Sequence, residues 1–327
     1  MAGGVVFGDG QIAFLCITTV SLFGLLSNGF SLYIIRTRSL FRNAFGALCS
    51  SYLICNLEAI VLLLIWCTIV LSVKPPTLSS STIFSIRLIG VLVNGAWFGS
   101  LFVHFFVALN RLCAIVYPIR YRELWSESKA FAAGIFSWTV GTSLCMVQLY
   151  KGCSFVFNEN WNYTFLYQNS FCGKICAYTD TVISIGIIAA TGCTDLTTLI
   201  KILAYRRTIR RNKVFSIVNA IKGRDVSFFK QSCILNSFYI GCIIMFKTNS
   251  YFFTDKWLLF ASSAVALILM LSLDGFLLLV SYRIASRWRS DFRRTATSVL
   301  RVDNLKKFSK WRILKKSEIS VYEMITS

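Results

Sequence analysis

The chain of 327 residues carries a net charge of +20, yet 56% of its residues are hydrophobic and only three are proline. An apolar fraction this high excludes an ordinary soluble protein of this size. The basic residues flank apolar runs instead of forming a domain of their own, which argues against nucleic acid as a partner and favours anionic membrane lipid.

Seven apolar runs have about the length that a helix needs to cross roughly 30 Å of hydrocarbon. Because lipid cannot satisfy free backbone groups, we predict that each run is an α-helix. The runs lie at about 12–35, 44–73, 84–114, 129–150, 179–204, 229–246 and 257–281. The sequence therefore predicts an all-α seven-transmembrane bundle in residues 1–281 and a basic tail in residues 282–327.

The distribution of Lys and Arg predicts the orientation of the bundle. The first 35 residues contain neither, whereas the connections at 36–43, 117–128 and 205–228 and the tail hold most of the 34. Positive residues stay on the cytoplasmic side of a membrane. We therefore expect a multi-pass plasma membrane protein with its N-terminus outside and its C-terminus inside. With no basic segment ahead of it, the first run is predicted to be retained rather than cleaved.

The loop at about 151–178 lies on the predicted outer side and contains Cys153, Cys172 and Cys176. Because that side is oxidising, we expect one disulfide, for which three pairings are open. We favour Cys153 with Cys172, since Cys176 is nearest to the fifth helix. The same loop contains the sequence NYT, which makes Asn162 a candidate for N-glycosylation.

The tail begins SYRIASRWRSDFRRTATSVL, in which apolar side chains recur at every fourth residue with arginines between them. These apolar residues are Ile284, Trp288, Phe292 and Ala296. The pattern predicts a short amphipathic helix in the membrane interface. The later segment LKKFSKWRILKK suits either anionic lipid or a disordered basic tail.

The third helix presents a polar and aromatic stripe that ends in Arg111. Residues 7, 11, 14 and 18 positions before it share its face, because these spacings are near whole numbers of helical turns. They are His104, Ser100, Trp97 and Val93. We expect the stripe to face the bundle centre, where its members line a ligand cavity or, alternatively, pack and hydrogen-bond to neighbouring helices.

Four more polar residues lie inside the predicted helices: Asn28, Glu58, Asp195 and Asp274. An ionisable side chain within the membrane is a functional candidate by default. For Glu58, protonation, pairing with an inward polar group and contact with an amine-bearing ligand all stay open. For Asp195 and Asp274 we expect partners on other helices, among them Asn28 and Arg111.

Chemistry typical of enzymes is absent from the sequence. A single histidine excludes a His-pair zinc site, and the motifs GxGxxG, GxxxxGKS and GxSxG do not occur. We therefore predict no catalysis, no cofactor and no metal. The seventh helix has no lysine well inside it, as a retinal pigment would need, and the lack of proline in the seven runs weakens a transporter reading.

Several motifs resemble those of known receptors. Asn110-Arg111-Leu112, followed by Ile115 and Pro118, resembles the Asp/Glu-Arg-Tyr frame of rhodopsin-like seven-helix receptors, and Asn28 matches their first-helix asparagine. The resemblance is closer to the nematode serpentine chemoreceptors of class X. It rests on the stretches LNRLCAIVYPIRY, GCSF, DLTTLIKI, FFKQS, KWLLF and LDGF, which run in order from the third helix to the seventh.

This resemblance implies a chemosensory receptor that binds an extracellular small molecule or short peptide and activates a heterotrimeric G protein. It also implies that the inner end of the third helix and the loop after it contact the G protein. The residues concerned are Asn110, Arg111, Pro118, Arg120 and Tyr121. A ligand-gated channel or transporter that needs no G protein, or a structural membrane protein, stays open as an alternative.

The chain also departs from the rhodopsin-like pattern. Asn110 replaces the usual acid, so the local ion pair with Arg111 cannot form. For the resting state we therefore expect solvent or lipid phosphate to hold Arg111, ahead of Asp195 and Asp274. The sixth helix lacks a CWxP-like element, and no cysteine precedes the third helix, so a disulfide within the outer loop must replace the usual one.

Overall fold

The computed structural model describes residues 8–73, 81–158, 163–211, 234, 236–246, 248 and 254–283. The side chains at positions 40, 73, 158 and 205–211 are outside this description. Three predicted features also fall outside the described residues: the glycosylation site at Asn162, most of the basic connection at 205–228 and the interfacial helix of the tail.

Six long helices and one shorter helix form the described bundle. The first three are α1 (Asp9–Thr37), α2 (Ala44–Val73) and α3 (Phe84–Val116). Helix α4 (Glu127–Cys145) continues as a 3-10 turn to Leu149, and α5 (Phe171–Arg211), α6 (Asn236–Phe246) and α7 (Lys256–Arg283) follow. All but α6 are long and apolar enough to cross a membrane. The prediction of an all-α membrane bundle is confirmed.

The fifth helix begins well before the predicted position. The sequence predicts a start near residue 179, but α5 starts at Phe171. The Oγ of Ser170 accepts a hydrogen bond from the Gly173 amide at 2.9 Å, which satisfies one of the free amides of the first turn. With this cap, the helix includes Cys172 and Lys174, which the sequence predicts to lie in the outer loop.

A β-hairpin closes one end of the bundle. Its strands are β1 (Phe155–Asn158) and β2 (Thr164–Tyr167), which pair antiparallel. Phe157 and Phe165 are fully buried, and the Phe165 ring lies 5.7 Å from the ring of Trp66 in α2. We call this the hairpin end, and the opposite end, where α3 finishes, the Arg111 end.

A disulfide between Cys153 and Cys172 joins the hairpin to α5, with the two Cα atoms 5.0 Å apart. It links the residue two positions before β1 to the first turn of α5. The favoured pairing among the three cysteines of this loop is therefore the one that the structure contains.

Helix α3 lies between α2, α4 and α5, and small residues let α4 approach it closely. A Cβ added at Gly141 of α4 would lie only 2.6 Å from the carbonyl oxygen of Gly95 and from the amide nitrogen of Gly99. Close backbone approach through glycine is a common way for membrane helices to gain packing energy. The position of α3 at the centre brings its polar stripe among the other helices.

Side chains of α1 donate hydrogen bonds to backbone carbonyls of α7. Ser27 Oγ donates to Ser272 at 2.9 Å, and Ser31 Oγ donates to Gly275 at 2.6 Å. Gly275 has no room for a side chain, since an added Cβ would lie 2.6 Å from the backbone nitrogen of Asn28. These contacts hold α7 against α1.

We expect Gly275→Val to separate α1 from α7 and to destabilise the protein by about 1–3 kcal/mol, the usual cost of overpacking. Thermal unfolding of the detergent-solubilised protein, followed with a thiol-reactive dye, measures this change because several cysteines are buried. Gly29→Val is the matched control, since a Cβ at Gly29 meets nothing within 4 Å. Equal unfolding midpoints for the two variants would contradict the close packing of α1 on α7.

Candidate ligand and signalling site

Asp274 lies at the centre of a buried polar cluster. Its side chain is fully buried, and Oδ2 accepts a hydrogen bond from Asn56 Nδ2 at 2.7 Å. The Tyr239 hydroxyl lies 2.7 Å from both carboxyl oxygens, and His104 Nε2 lies 3.1 Å from Oδ2. These four residues, which we call the Asp274 cluster, come from α2, α3, α6 and α7. A carboxyl group with no exposed surface is tolerated only with such partners.

His104 is held on several sides. Its ring stacks on Tyr52 of α2 with centroids 4.5 Å apart, and it meets the Tyr239 ring edge-on at 5.7 Å. Nε2 also lies 3.3 Å from the Tyr239 hydroxyl. Of the two sequence-based readings of His104, hydrogen bonding to neighbouring helices is therefore what the structure contains.

The remaining members of the α3 stripe lie between this cluster and the hairpin end. Trp97 donates from Nε1 to Ser184 Oγ of α5 at 3.4 Å, and its ring packs edge-on against Tyr239 at 5.6 Å. Val93 and Ser100 are buried. Within the described part of the chain, Ser100 Oγ has no hydrogen-bond partner. The stripe therefore contacts α2, α5, α6 and α7, and its Ser100 hydroxyl is buried without a partner among the described residues.

A second polar network lies directly under the hairpin. Asn94 Nδ2 donates to Gln148 Oε1 and to the Tyr167 hydroxyl, both at 3.0 Å. Gln148 Nε2 also donates to that hydroxyl at 3.3 Å, and the hydroxyl in turn donates to Asp180. Tyr167 thus uses its full hydrogen-bonding capacity of one donor and two acceptor sites. This Asn94 network joins α3, α4, the hairpin and α5.

Sequence reasoning missed the Asn94 network as well as Tyr239, Tyr52 and Asn56. Each is a single polar or aromatic residue within an apolar run, and nothing along the chain pairs it with its partner on another helix. The sequence did contain one weak signal for polar contacts between helices. Asn56, Asn94 and Gln148 are amide side chains at positions that the sequence predicts to lie in hydrocarbon.

Arg111 forms an ion pair across the Arg111 end of the bundle. Its Nη2 atom lies 3.3 Å from Oδ1 of Asp195 in α5, and Asp195 is buried. Of the partners expected for Arg111, Asp195 is the one that α5 brings to the end of α3, while solvent and lipid phosphate stay predictions. Loss of the acid at position 110 is thus compensated from another helix.

Asn110 has a partner of its own. Its side-chain amide exchanges hydrogen bonds with the Tyr121 hydroxyl, at 3.0 Å as donor and 3.3 Å as acceptor. Burial raises the pKa of the Tyr121 phenol, so it stays protonated at neutral pH and keeps both roles. Tyr121 begins a single helical turn that ends at Leu124, while Pro118 and Arg120 just before it are exposed.

Glu58 and Asn28 have local structural contacts. Glu58 Oε2 accepts a hydrogen bond from Trp138 Nε1 at 2.8 Å, on the face between α2 and α4 where Trp138 is 38% exposed. Asn28 donates from Nδ2 to the carbonyl oxygens of Gly24 at 2.9 Å and Leu271 at 3.1 Å. The expected pairing of Asn28 with an intramembrane aspartate is therefore wrong, because its amide binds backbone instead.

Residues 18–282 match the family profile described as serpentine type 7TM GPCR chemoreceptor Srx. The chain belongs to this Srx family of chemoreceptors. The match runs from within α1 almost to the end of α7, so both ends of the bundle and all the polar clusters lie inside it. The Srx assignment confirms the predicted class, a multi-pass membrane receptor rather than an enzyme.

One curated relative is serpentine receptor class X-43 of Caenorhabditis elegans. The Srx chain is 26% identical to it over 145 residues, an alignment that covers 41% of each protein. The aligned part thus spans about two fifths of that relative's length.

Proposed function

We propose that this receptor binds an extracellular small molecule or short peptide and, in response, activates a heterotrimeric G protein. The observation that carries the proposal is the ion pair between Arg111 and Asp195, which links α3 to α5 at the end opposite the hairpin. A contact between two helices that is made in one arrangement of a bundle and broken in another is the usual basis of a switch. Release of Arg111 from Asp195 makes its guanidinium available to the G protein.

The orientation is part of the proposal. The hairpin end faces outward and the Arg111 end faces the cytoplasm of the plasma membrane, as the distribution of Lys and Arg predicts. The disulfide at the hairpin end supports this, because disulfides persist in oxidising surroundings. Glycosylation at Asn162 follows from the same orientation, and the basic segments at the other end then meet anionic lipid.

The ligand region consists of the α3 stripe and the Asn94 network beneath the hairpin. Val93 and Trp97 offer apolar and aromatic contact, while Ser100 has a buried hydroxyl without a partner among the described residues. An unpaired buried polar group costs about 1–3 kcal/mol, which a polar group of a ligand recovers. A ligand that binds one arrangement better than the other shifts the bundle toward it.

The coupling surface follows from the same geometry. Pro118 and Arg120 are exposed beside the Arg111 end, and the Asn110–Tyr121 hydrogen bonds fix the start of the loop that carries them. We expect Arg120, Pro118 and the released Arg111 to contact the G protein together. Asn110 and Tyr121 position this loop.

A screen with two readouts tests the proposal against the alternative of a channel. Receptor in lipid nanodiscs is mixed with purified Gα and a panel of water-soluble small molecules and short peptides, and nucleotide exchange is measured. The same panel is applied to receptor in a planar bilayer without G protein, and current is recorded. We expect at least one compound to accelerate exchange and none to evoke current. Ligand-evoked current without G protein would favour the channel.

A further inference from the structure

A third sulfur atom lies beside the disulfide at the hairpin end. The Sγ atoms of Cys153, Cys172 and Cys176 all lie within 4.8 Å of one another. Cys176 is a free cysteine in α5 and only 5% exposed, so its thiol is shielded from solutes but sits next to the bond between the other two. A thiolate that reaches a disulfide sulfur exchanges with it through direct displacement.

Helix geometry determines which of the two disulfide sulfurs Cys176 attacks. Cys172 and Cys176 are four residues apart on α5, where Cβ atoms are about 5–6 Å apart. A disulfide needs about 3.5–4.5 Å between its Cβ atoms, so a bond between these two requires α5 to distort. Cys153 lies outside α5, at the end of a short 3-10 turn, and its side chain reorients without that distortion. Attack therefore falls on Cys153.

We propose that Cys153 exchanges its disulfide partner between Cys172 and Cys176. The Cys176 thiol gives up its proton, its sulfur forms a bond to Cys153 Sγ, and the Cys153–Cys172 bond breaks. Cys172 leaves as a thiolate and takes up a proton. One disulfide and one thiol are present before and after, so the step needs no oxidant or reductant.

The exchange moves the covalent anchor of the hairpin by four residues, about 6 Å along α5. Tyr167 of the hairpin donates a hydrogen bond to Asp180, one turn beyond Cys176. Because this hydrogen bond also joins the hairpin to α5, a change of disulfide partner strains or breaks it. The same helix carries Ser184, which binds Trp97, and Asp195, which pairs with Arg111. The two disulfides thus attach the hairpin at two different places on the helix that carries Asp195. The consequence for signalling rests on the proposed function, but the exchange itself does not.

Tryptic peptides distinguish the Cys153–Cys172 disulfide from the Cys153–Cys176 disulfide. Trypsin cuts after Lys151 and Lys174, so Cys153 and Cys172 share peptide 152–174, whereas Cys176 lies in peptide 175–201. Purified full-length receptor is incubated at about pH 8, where thiol–disulfide exchange is faster than in acid, and is then quenched in acid. It is alkylated under denaturing conditions, freed of any glycan, digested without reduction and measured by mass spectrometry.

We expect two products in the wild-type receptor. The first is peptide 152–174 with an internal disulfide. The second is that peptide linked through Cys176 to peptide 175–201, with Cys172 and Cys193 alkylated. The linked product should grow during incubation at pH 8 and stay constant at pH 4. Absence of the linked product throughout, or linkage with Cys153 alkylated instead of Cys172, would overturn the proposal.

Three variants control the experiment. Cys176→Ser should lose the linked product completely, whereas Cys67→Ser, which removes another buried thiol, should leave it unchanged. Cys172→Ser should contain Cys153–Cys176 in nearly every molecule. If Cys172→Ser unfolds with the wild-type midpoint but keeps two free thiols, the two sulfurs do not bond and the proposal is wrong. Should that variant fail to fold, the wild-type time course decides alone.

Discussion

Asp274→Ala is expected to destabilise the receptor by about 3 kcal/mol or more, because several buried polar groups lose their partner and each such loss costs about 1–3 kcal/mol. The substitution removes the acceptor of Asn56 and Tyr239 and the neighbour of His104, so polar groups on α2, α3 and α6 lose their partner in a buried site. Thermal unfolding in detergent, followed through exposure of buried cysteines, measures the effect. Asp274→Asn, which keeps one oxygen acceptor and the shape, should lose less.

Asp9→Ala is the control for this measurement. Asp9 forms an ion pair with Lys256 at 2.8 Å, but its side chain is 57% exposed. Exposed ion pairs contribute less than about 1 kcal/mol. If Asp274→Ala unfolds at the same temperature as Asp9→Ala, the Asp274 cluster is not what holds the four helices together.

If the receptor activates a G protein as proposed, Asp195→Asn is expected to raise nucleotide exchange on Gα in the absence of ligand by roughly fivefold or more. The substitution removes the charge that holds Arg111 against α5, so the arrangement in which Arg111 is released becomes more populated. Receptor in nanodiscs with purified Gα gives this basal rate directly, at receptor amounts matched between variants.

Glu58→Gln controls for the loss of a carboxylate inside the membrane. Glu58 contacts Trp138 on the face between α2 and α4, whereas the Arg111–Asp195 pair links α3 to α5. We expect its basal exchange to stay within about twofold of wild type. Equal increases in Asp195→Asn and Glu58→Gln would mean that general destabilisation, rather than release of Arg111, activates the receptor.

The fold followed from the sequence because of the membrane. A long uncharged run in hydrocarbon must satisfy its own backbone hydrogen bonds, which it does as a helix. The number and approximate position of the helices were therefore predictable. The start of α5 was not, because it depends on the Ser170 cap, which the polarity of this stretch does not reveal. The hairpin was not predicted either, since its strands are only four residues each.

The candidate site was predictable only in part. Asp274, Asp195 and Arg111 were identified because charge is costly in a membrane. Their partners depend on how helices rotate against each other, which the periodicity of one helix does not specify. Arg111 was among the partners expected for Asp195, and the structure contains that pair. It also adds Tyr239 and Asn56 to Asp274 and gives Asn28 a backbone partner.

Signalling through Arg111 is tested most directly by adding Arg111→Ala to the Asp195→Asn receptor and measuring nucleotide exchange on purified Gα. No ligand is needed, because the Asp195→Asn change alone is expected to raise the basal rate. If the released Arg111 contacts the G protein, exchange in the double variant falls to the rate of Gα without receptor. Exchange that stays at the level of Asp195→Asn would contradict this role of Arg111 and, with it, the proposed route from receptor to G protein.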